Sequence, residues 1–291
     1  MPRINTTVLM SDAAHFSAEQ AINPYYYDSH VNKSVAEEEH DAIAELLTKA
    51  GIEIIKVPSP ADSQDGVYTA NWALVRGDTA VLARLPNVRK AEEDYAEKVL
   101  TDLGKRVVRV PDELRFSGQG DALACGNLLF CGSRFRSDVE AQAFAADVLG
   151  YERIQLQVVP QLTSTGEPQI NVVSGWPDSF FYDIDLALSI LRAPEGEQKG
   201  LIAYCPDAFT PESRLVLENL DKVEKITVSL EEAEKAFAMN MVSTGDTVVM
   251  SAHAPEFAAE LEKRGFTIYS PEISELAKGG GYIRCTTLTL D

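Results

Sequence analysis

The sequence predicts an α/β fold of about five strand-and-helix units arranged radially around a central cavity. Three observations predict it. A helix–glycine–strand motif recurs along the chain, strand-like apolar runs separate its copies, and no Pro/Gly/Ser linker or low-complexity stretch divides the 291 residues. The whole chain, 1–291, therefore reads as one domain. Units of several strands and one helix, set radially, share a core and enclose a cavity. An ordinary doubly wound sheet is the alternative, and the density of strands in each repeat counts against it.

In the first copy, VAEEEHDAIAELLTKA places Ile43, Leu46, Leu47 and Ala50 at i, i+3, i+4 and i+7, which is one apolar helix face. Gly51 supplies the C-terminal cap and IEIIKV follows as a β-branched strand. The second copy, AEEDYAEKVLTDLG then KRVVRV, closes at Gly104. The third, SDVEAQAFAADVLG then YERIQLQVV, closes at Gly150, with Ser137 and Glu140 at capping-box spacing. APEFAAELEKRG then FTIYS closes at Gly265, about twice the usual interval further on. That long gap calls for one more copy, TPESRLVLENLDKV then EKITVSL. It has Thr210 as N-cap and Pro211 at the first helical position, but Asp221 where the others have glycine. Between copies lie VYTANWALV, TAVLAR, NLLFCG, LIAYC and TVVMSA, all strand-like.

Charge narrows the partners. There are 26 Lys+Arg against 45 Asp+Glu, a formal net charge of −19 at pH 7. Counterion release on a phosphate backbone needs clustered Lys and Arg, so no nucleic-acid partner is expected. An anionic membrane surface is disfavoured for the same reason. A small cationic substrate suits this field. The N-terminal stretch MPRINTTVLMSDAAHF lacks the apolar core of a secretion signal, and no apolar run approaches the length of a membrane span. The expected location is the cytoplasm. Cys125, Cys131, Cys205 and Cys285 include no C-x-x-C pair, and His15, His30, His40 and His253 are scattered, so no metal site is expected. With no glycine-rich nucleotide motif either, no cofactor is expected.

Five local patterns carry chemistry. In AKGGGYIRCTTLTL, three glycines precede Cys285 at a loop–strand junction, and the adjacent Arg284 would lower the thiol pKa. In FSGQGDALACG, Asp121 sits among three glycines. In FFYDIDLALSIL, Asp183 and Asp185 are two apart and would face the same side of a strand, placed to grip a cation or share acid–base work. In DGVYTANWALV, Asn71 lies between Tyr68 and Trp72 within an apolar strand and needs partners for its amide. In INPYYYDSH, Asn23 precedes Pro24 and three tyrosines whose rings would wall a cationic pocket. The structural alternatives are a buried cysteine behind a turn, a solvated strand start and a satisfied core amide. Charge runs such as Glu37–Glu39 read as solvated helix faces.

In this order, the segments resemble the guanidino-modifying enzymes of the pentein superfamily: arginine deiminases, dimethylarginine dimethylaminohydrolases, amidinotransferases and arginine dihydrolases. The resemblance runs from INPYY to GGGYIRCTTL and is strongest to the arginine dihydrolase-like branch, with motifs INPW, FTAN, FEGAGDAL, FRTD, HLD and GGGSxxCLTL. It implies a five-bladed α/β propeller of ββαβ-type units. The implied reaction is attack of a cysteine on the guanidinium carbon of arginine or a substituted guanidine, through a covalent amidino-thioether that water or an amine resolves.

Position by position, the resemblance puts Cys285 on the nucleophile and Asn71 and Asp185 on guanidinium-binding positions. Arg136, in FRSD, falls on an arginine that clamps a substrate carboxylate, and Arg89, in VRKAEE, on a second one if a single gap is allowed. Asn23 and Asp121 match the asparagine of the N-terminal motif and the aspartate of GAGD. Two positions depart. Ser117 stands where the family has Glu, and Asp183 stands where it has the catalytic His. An aspartate of ordinary pKa, near 3.9, is ionised at pH 7 and donates protons poorly, but a carboxylate neighbour such as Asp185 would raise it. The departures leave three alternatives to a hydrolase: a non-catalytic protein that binds a cationic ligand, an enzyme of altered substrate, and an amidinotransferase. A homodimer is left open.

Overall fold

Each helix–glycine–strand copy becomes the crossover of one three-stranded sheet. The structure, a computed structural model, describes residues 2–26 and 30–291, apart from the side chain of Asn87. Tyr27 of the three-tyrosine pattern lies outside the described residues.

In the first sheet β1 (Thr7–Ser11) and β2 (Glu53–Val57) are parallel, joined by α1 (Lys33–Lys49). The second holds β3 (Ala73–Arg76), β4 (Thr79–Leu82) and β5 (Arg106–Arg109), with α2 (Ala91–Asp102) joining the last two. The third holds β6 (Ala122–Cys125), β7 (Leu128–Cys131) and β8 (Glu152–Gln155), with α3 (Val139–Leu149). The fourth holds β9 (Leu188–Arg192), β10 (Gly200–Tyr204) and β11 (Val223–Thr227), with α4 (Pro211–Glu218). The short α5 (Leu230–Lys235) leads on to β12 (Val242–Ser243), β13 (Thr247–Val249), α6 (Pro255–Lys263) and β14 (Thr267–Tyr269) of the fifth. Finally β15 (Leu288–Thr289) returns antiparallel to β1 and closes the first sheet.

In every sheet the middle strand is antiparallel to one neighbour and parallel to the other. The five antiparallel partners, β3, β6, β9, β12 and β15, form the inner ring: β15 adjoins β3, β6 adjoins β9, and β9 adjoins β12. This is a five-bladed α/β propeller, the pentein fold. The helices supply the cover, α1 turning Ile43 and Leu47 fully inward.

Helix ends follow the sequence closely. Gly51, Gly104, Gly150 and Gly265 all have φ between +69° and +87°, the left-handed region a helix exit uses. The copy without glycine needs another device. Lys225 Nζ donates to the carbonyls of Leu217, Glu218 and Leu220 at 2.9–3.0 Å, satisfying the end of α4 with a cation. The capping-box expectation at Ser137 does not hold. The N-cap of α3 is Asp138, whose carboxylate pairs with Arg115, while Ser137 Oγ accepts from Ser117 N instead.

Another expectation is corrected at the starts of the inner strands. Asn71, the Asp183/Asp185 pair and Cys285 are not within strands. Asn71 lies on a 3₁₀ turn (Thr69–Trp72), Asp185 on another (Ile184–Leu186) with Asp183 just before it, and Cys285 on a turn in which Thr286 N bonds Tyr282 O. Each inner strand is thus preceded by a tight turn. Among the described residues no helix is long and apolar enough to cross a membrane.

Candidate active site

The turns that precede the five inner strands gather one polar cluster, with a contribution from every blade. Asn71 precedes β3, Ser117–Asp121 precede β6, Asp183 and Asp185 precede β9, Asn240 precedes β12, and Cys285 precedes β15. All seven named side chains are buried. Close approach explains the glycine-rich sequence here. Gly118, at φ +57°, presses against the backbone of Ala70 and Ala73, and a Cβ on Gly120 would collide with Asn71 and Asp183.

Cys285 is held from two sides. Its Sγ donates to Asp185 Oδ2 at 3.3 Å and accepts from Asn240 Nδ2 at 3.1 Å. Asn240 Oδ1 accepts from the backbone N–H of both Cys285 and Tyr282, at 3.1 Å each, so one amide fixes the turn and the thiol together. On the other side of the cluster Asn71 Nδ2 donates to Asp183 Oδ2 at 2.8 Å and to Ser117 Oγ at 2.9 Å. Asp121 Oδ1 accepts from Ile184 N at 3.1 Å, pinning the peptide between the two aspartates. Asp183 Oδ1 and Asp185 Oδ1 are buried with no protein partner, which leaves two acceptors for a cationic ligand.

The electrostatics follow from crowding. Burial, then the charge of Asp183, pushes the carboxyls of Asp121 and Asp185 well above the usual range. Asp183 is also raised by burial, against the pull of Arg136 and the hydrogen bonds of Ser117 and Asn71. Burial and the fields of Asp185 and Asp183 push the Cys285 thiol well up. The expected lowering by Arg284 is overturned: that guanidinium turns to Gln119 Oε1 at 2.8 Å and Thr289 Oγ1 at 3.0 Å, and the carboxyls dominate the thiol.

The two sequence-predicted arginines differ. Arg136 is buried, donates to Ile22 O at 3.0 Å, and lies 4.5 Å above the Tyr182 ring. Among the described residues it has no carboxylate at ion-pair distance. Arg89 grips Glu92 through two bonds of 2.8 and 2.6 Å, reaches the carbonyls of Asp65 and Tyr68, and donates to Asn71 Oδ1 at 2.8 Å. Arg89 therefore touches the cluster only through Asn71. Asn23 bonds Gly279 O at 3.0 Å beside Gly280, whose φ is +81°.

Asn240 is the site residue that sequence reading misses, and its signal was a lone amide in the apolar run FAMNMV. Asp65 is another, buried beside Arg89 and bonded to Tyr26, its carboxyl raised to about 6 mainly by burial. Tyr68 and Tyr182 frame the glycine loop, donating to Leu276 O at 2.6 Å and Gly280 O at 2.8 Å. The cluster can bind a planar cation between carboxyls and present a thiol to it.

The family described as N,N dimethylarginine dimethylhydrolase, eukaryotic, matches residues 11–165. The chain is 31% identical over 283 residues to the N(G),N(G)-dimethylarginine dimethylaminohydrolase of Mycobacterium tuberculosis, covering 97% of this chain and 84% of that one. It is 28% identical over 286 residues to the bifunctional arginine dihydrolase/ornithine cyclodeaminase ArgZ of Synechocystis sp., covering 97% of this chain and 37% of that relative's length. The solved N-terminal domain of ArgZ bound to substrate is similar with TM-score 0.83 at 26% identity, over 97% of each chain. A dimethylarginine dimethylaminohydrolase adduct with S-methyl-L-thiocitrulline, at 16% identity and TM-score 0.72, shares the fold.

Proposed function

The chain belongs to the dimethylarginine dimethylaminohydrolase family, in the arginine dihydrolase-like branch of the pentein superfamily, and is a hydrolase of arginine derivatives; we propose that it works through a covalent intermediate on Cys285. The observation that carries this reading is the Cys285 thiol bonded to Asp185, beside two buried carboxylate oxygens without protein partners.

The substrate guanidinium sits between Asp183 and Asp185, with Asn71 and Ser117 orienting Asp183. The positive charge of the substrate offsets the carboxyl field that keeps the thiol protonated, so the nucleophile forms in the complex rather than in the free protein. The Cys285 proton passes to Asp185 as the sulfur bonds to the guanidinium carbon. The carbon–nitrogen bond then breaks, and the departing amine takes a proton from Asp183. A carboxyl held above its ordinary range is suited to that donation. Once ionised, Asp183 takes a proton from the incoming water. The water oxygen bonds to the same carbon, the carbon–sulfur bond then breaks, and the thiolate regains the proton held by Asp185.

Arg136 receives the substrate carboxylate. Arg89, committed to Glu92, acts by fixing Asn71. The substrate class is L-arginine or an N-methylated arginine, and the whole chain, 1–291, works as one domain.

The test is incubation with L-arginine and its mono- and dimethylated forms, with assay of ammonia, methylamines and ureido product, and acid-quenched mass spectrometry of the Cys285 peptide. An amidino adduct on Cys285 and turnover that disappears in Cys285→Ala are expected. Product without any adduct, or activity surviving Cys285→Ala, overturns the reading. Aspartate at position 183 favours one second reading, ligand binding without turnover. Saturable binding of all three compounds with no product would support it.

A further inference from the structure

The turns that carry the proposed active site close one end of the space inside the inner strands. Beyond them a cavity of about 240 Å³ runs along the strands and shares Asp185 with that site. Its wall takes in Leu74 of β3, Ala122 of β6, Leu188 and Ile190 of β9, and Met241. It reaches Asp185 at its floor but not Cys285, Asp183, Asn71 or Ser117.

We propose that this cavity is a second ligand site, which takes a small monocarboxylate with a compact apolar body and holds its carboxylate on Arg284.

Arg284 is 8% exposed and lines the cavity. Its protein partners are all neutral: Gln119 Oε1 at 2.8 Å, Thr289 Oγ1 at 3.0 Å, and Thr287 O and Oγ1 at 3.4 Å. Among the described residues no carboxylate lies within ion-pair distance of it, and its Nε donates to no protein atom. A buried guanidinium without a counter-ion is costly, and its Nε/Nη edge matches a carboxylate in two parallel bonds. Of the three other charged groups on the wall, Asp291 and Arg3 are already engaged, while Asp185 keeps Oδ1 without a protein partner and its field reaches Arg284. Both carboxylate oxygens of Asp291 accept from Thr6 and Thr7, and Arg3 donates to Ala50 O at 2.6 Å. Asp185 Oδ2 accepts from the thiol, and without a bound guanidinium burial favours the neutral form of that carboxyl, which limits repulsion of an anion.

Leu74, Leu188, Ile190 and Met241 supply the apolar contacts, with Asn5 and Ser189 also on the wall. A dry cavity of about 150 Å³ accommodates benzene, so this volume admits a ring plus a carboxylate. A cationic guanidino compound would meet Arg284 and be repelled, which separates this site from the substrate site in sign of charge.

Sodium benzoate is the probe and benzamide its neutral counterpart, followed by ligand-observed NMR and calorimetry on the intact protein. Benzoate is expected to bind with one-to-one stoichiometry, and benzamide at least tenfold more weakly. Ile190→Trp, which fills the cavity from β9 without touching the polar cluster, should abolish benzoate binding and leave turnover of arginine derivatives unchanged. Arg284→Met should reduce the preference for benzoate over benzamide to near unity. Equal binding of the two probes by the native protein overturns the proposal, as does no binding at all. Binding untouched by Ile190→Trp, or benzoate displaced competitively by L-arginine in Cys285→Ala, also overturns it. None of these readouts depends on whether Cys285 is the nucleophile.

Discussion

The two ends of the space inside the five inner strands are built by the same chain segments and have opposite chemistry. At the end formed by the turns, Asp183 and Asp185 bear on a thiol with Asp121 beside them, and burial keeps all four groups shifted towards their protonated forms. Along the strands beyond, aliphatic side chains share the wall with polar ones, and among the described residues the Arg284 guanidinium there has no ion-pair partner. A strand that alternates its side chains offers an apolar inner face. A tight turn interrupts that alternation and directs several polar groups to one place. Five turns at equivalent positions therefore yield one dense polar floor, held by hydrogen bonds across blades rather than along them.

The comparison breaks first at Cys285. Replacement by alanine should lower turnover of arginine derivatives by about 10⁴-fold or more, with circular dichroism unchanged. Turnover within tenfold of native would mean the polar end does not act through the thiol. Next is Asp183→Asn, which should lower kcat by about 10²- to 10³-fold. Acting first as an acid, Asp183 must be protonated, so native kcat should fall as pH rises through its raised pKa, and the variant should lose that limb. An unaltered pH profile in the variant would assign the proton to another group.

Asn240 tests whether the floor depends on ties across blades. Asn240→Ala removes the acceptor for two backbone N–H groups and the donor to sulfur, and should cost about 1–3 kcal/mol in denaturant unfolding. Asn240→Asp keeps the acceptor and loses the donor. It should recover most of the stability while kcat stays low, which separates positioning of the thiol from support of the turn.

The carboxyl crowding also sets a pH dependence of stability. Folded-state pKa values above the unfolded ones mean that the stabilisation is complete below about pH 4 and is lost as pH rises through the folded values. Asp185→Asn should flatten this slope in thermal unfolding followed across pH. A slope as steep as native would place the proton elsewhere. The smallest effect is expected of Gly280→Ala, about 1–2 kcal/mol, because φ is +81° and the new Cβ would meet the Asn23 amide. No change in midpoint would show that the glycine loop is free to move away from Asn23.

Much of the fold was legible because helix exits are local events. A left-handed residue is needed where each helix ends, so Gly51, Gly104, Gly150 and Gly265 announced four of the five crossovers. The fourth blade was faint because Lys225, seven residues beyond the last residue of α4, does the work of the missing glycine. The site was legible where unusual residues sit in unusual runs, as with Cys285 after three glycines and the two aspartates before an apolar strand. Asn240 gave almost no signal, since a single amide in an apolar run looks like any satisfied core amide. Its importance lies in what it touches.

By itself the sequence determined the repeat, the helix ends and the inventory of carboxyls, amides and thiol, because those depend on neighbours within a turn or two along the chain. Tertiary structure decided that Arg284 faces away from Cys285, that Arg89 is spent on Glu92, and that the thiol is held up by carboxyls from another blade. Those outcomes depend on burial and on which blade lies opposite. Both are set by closure of the ring, where β15 joins β1 across almost the full length of the chain.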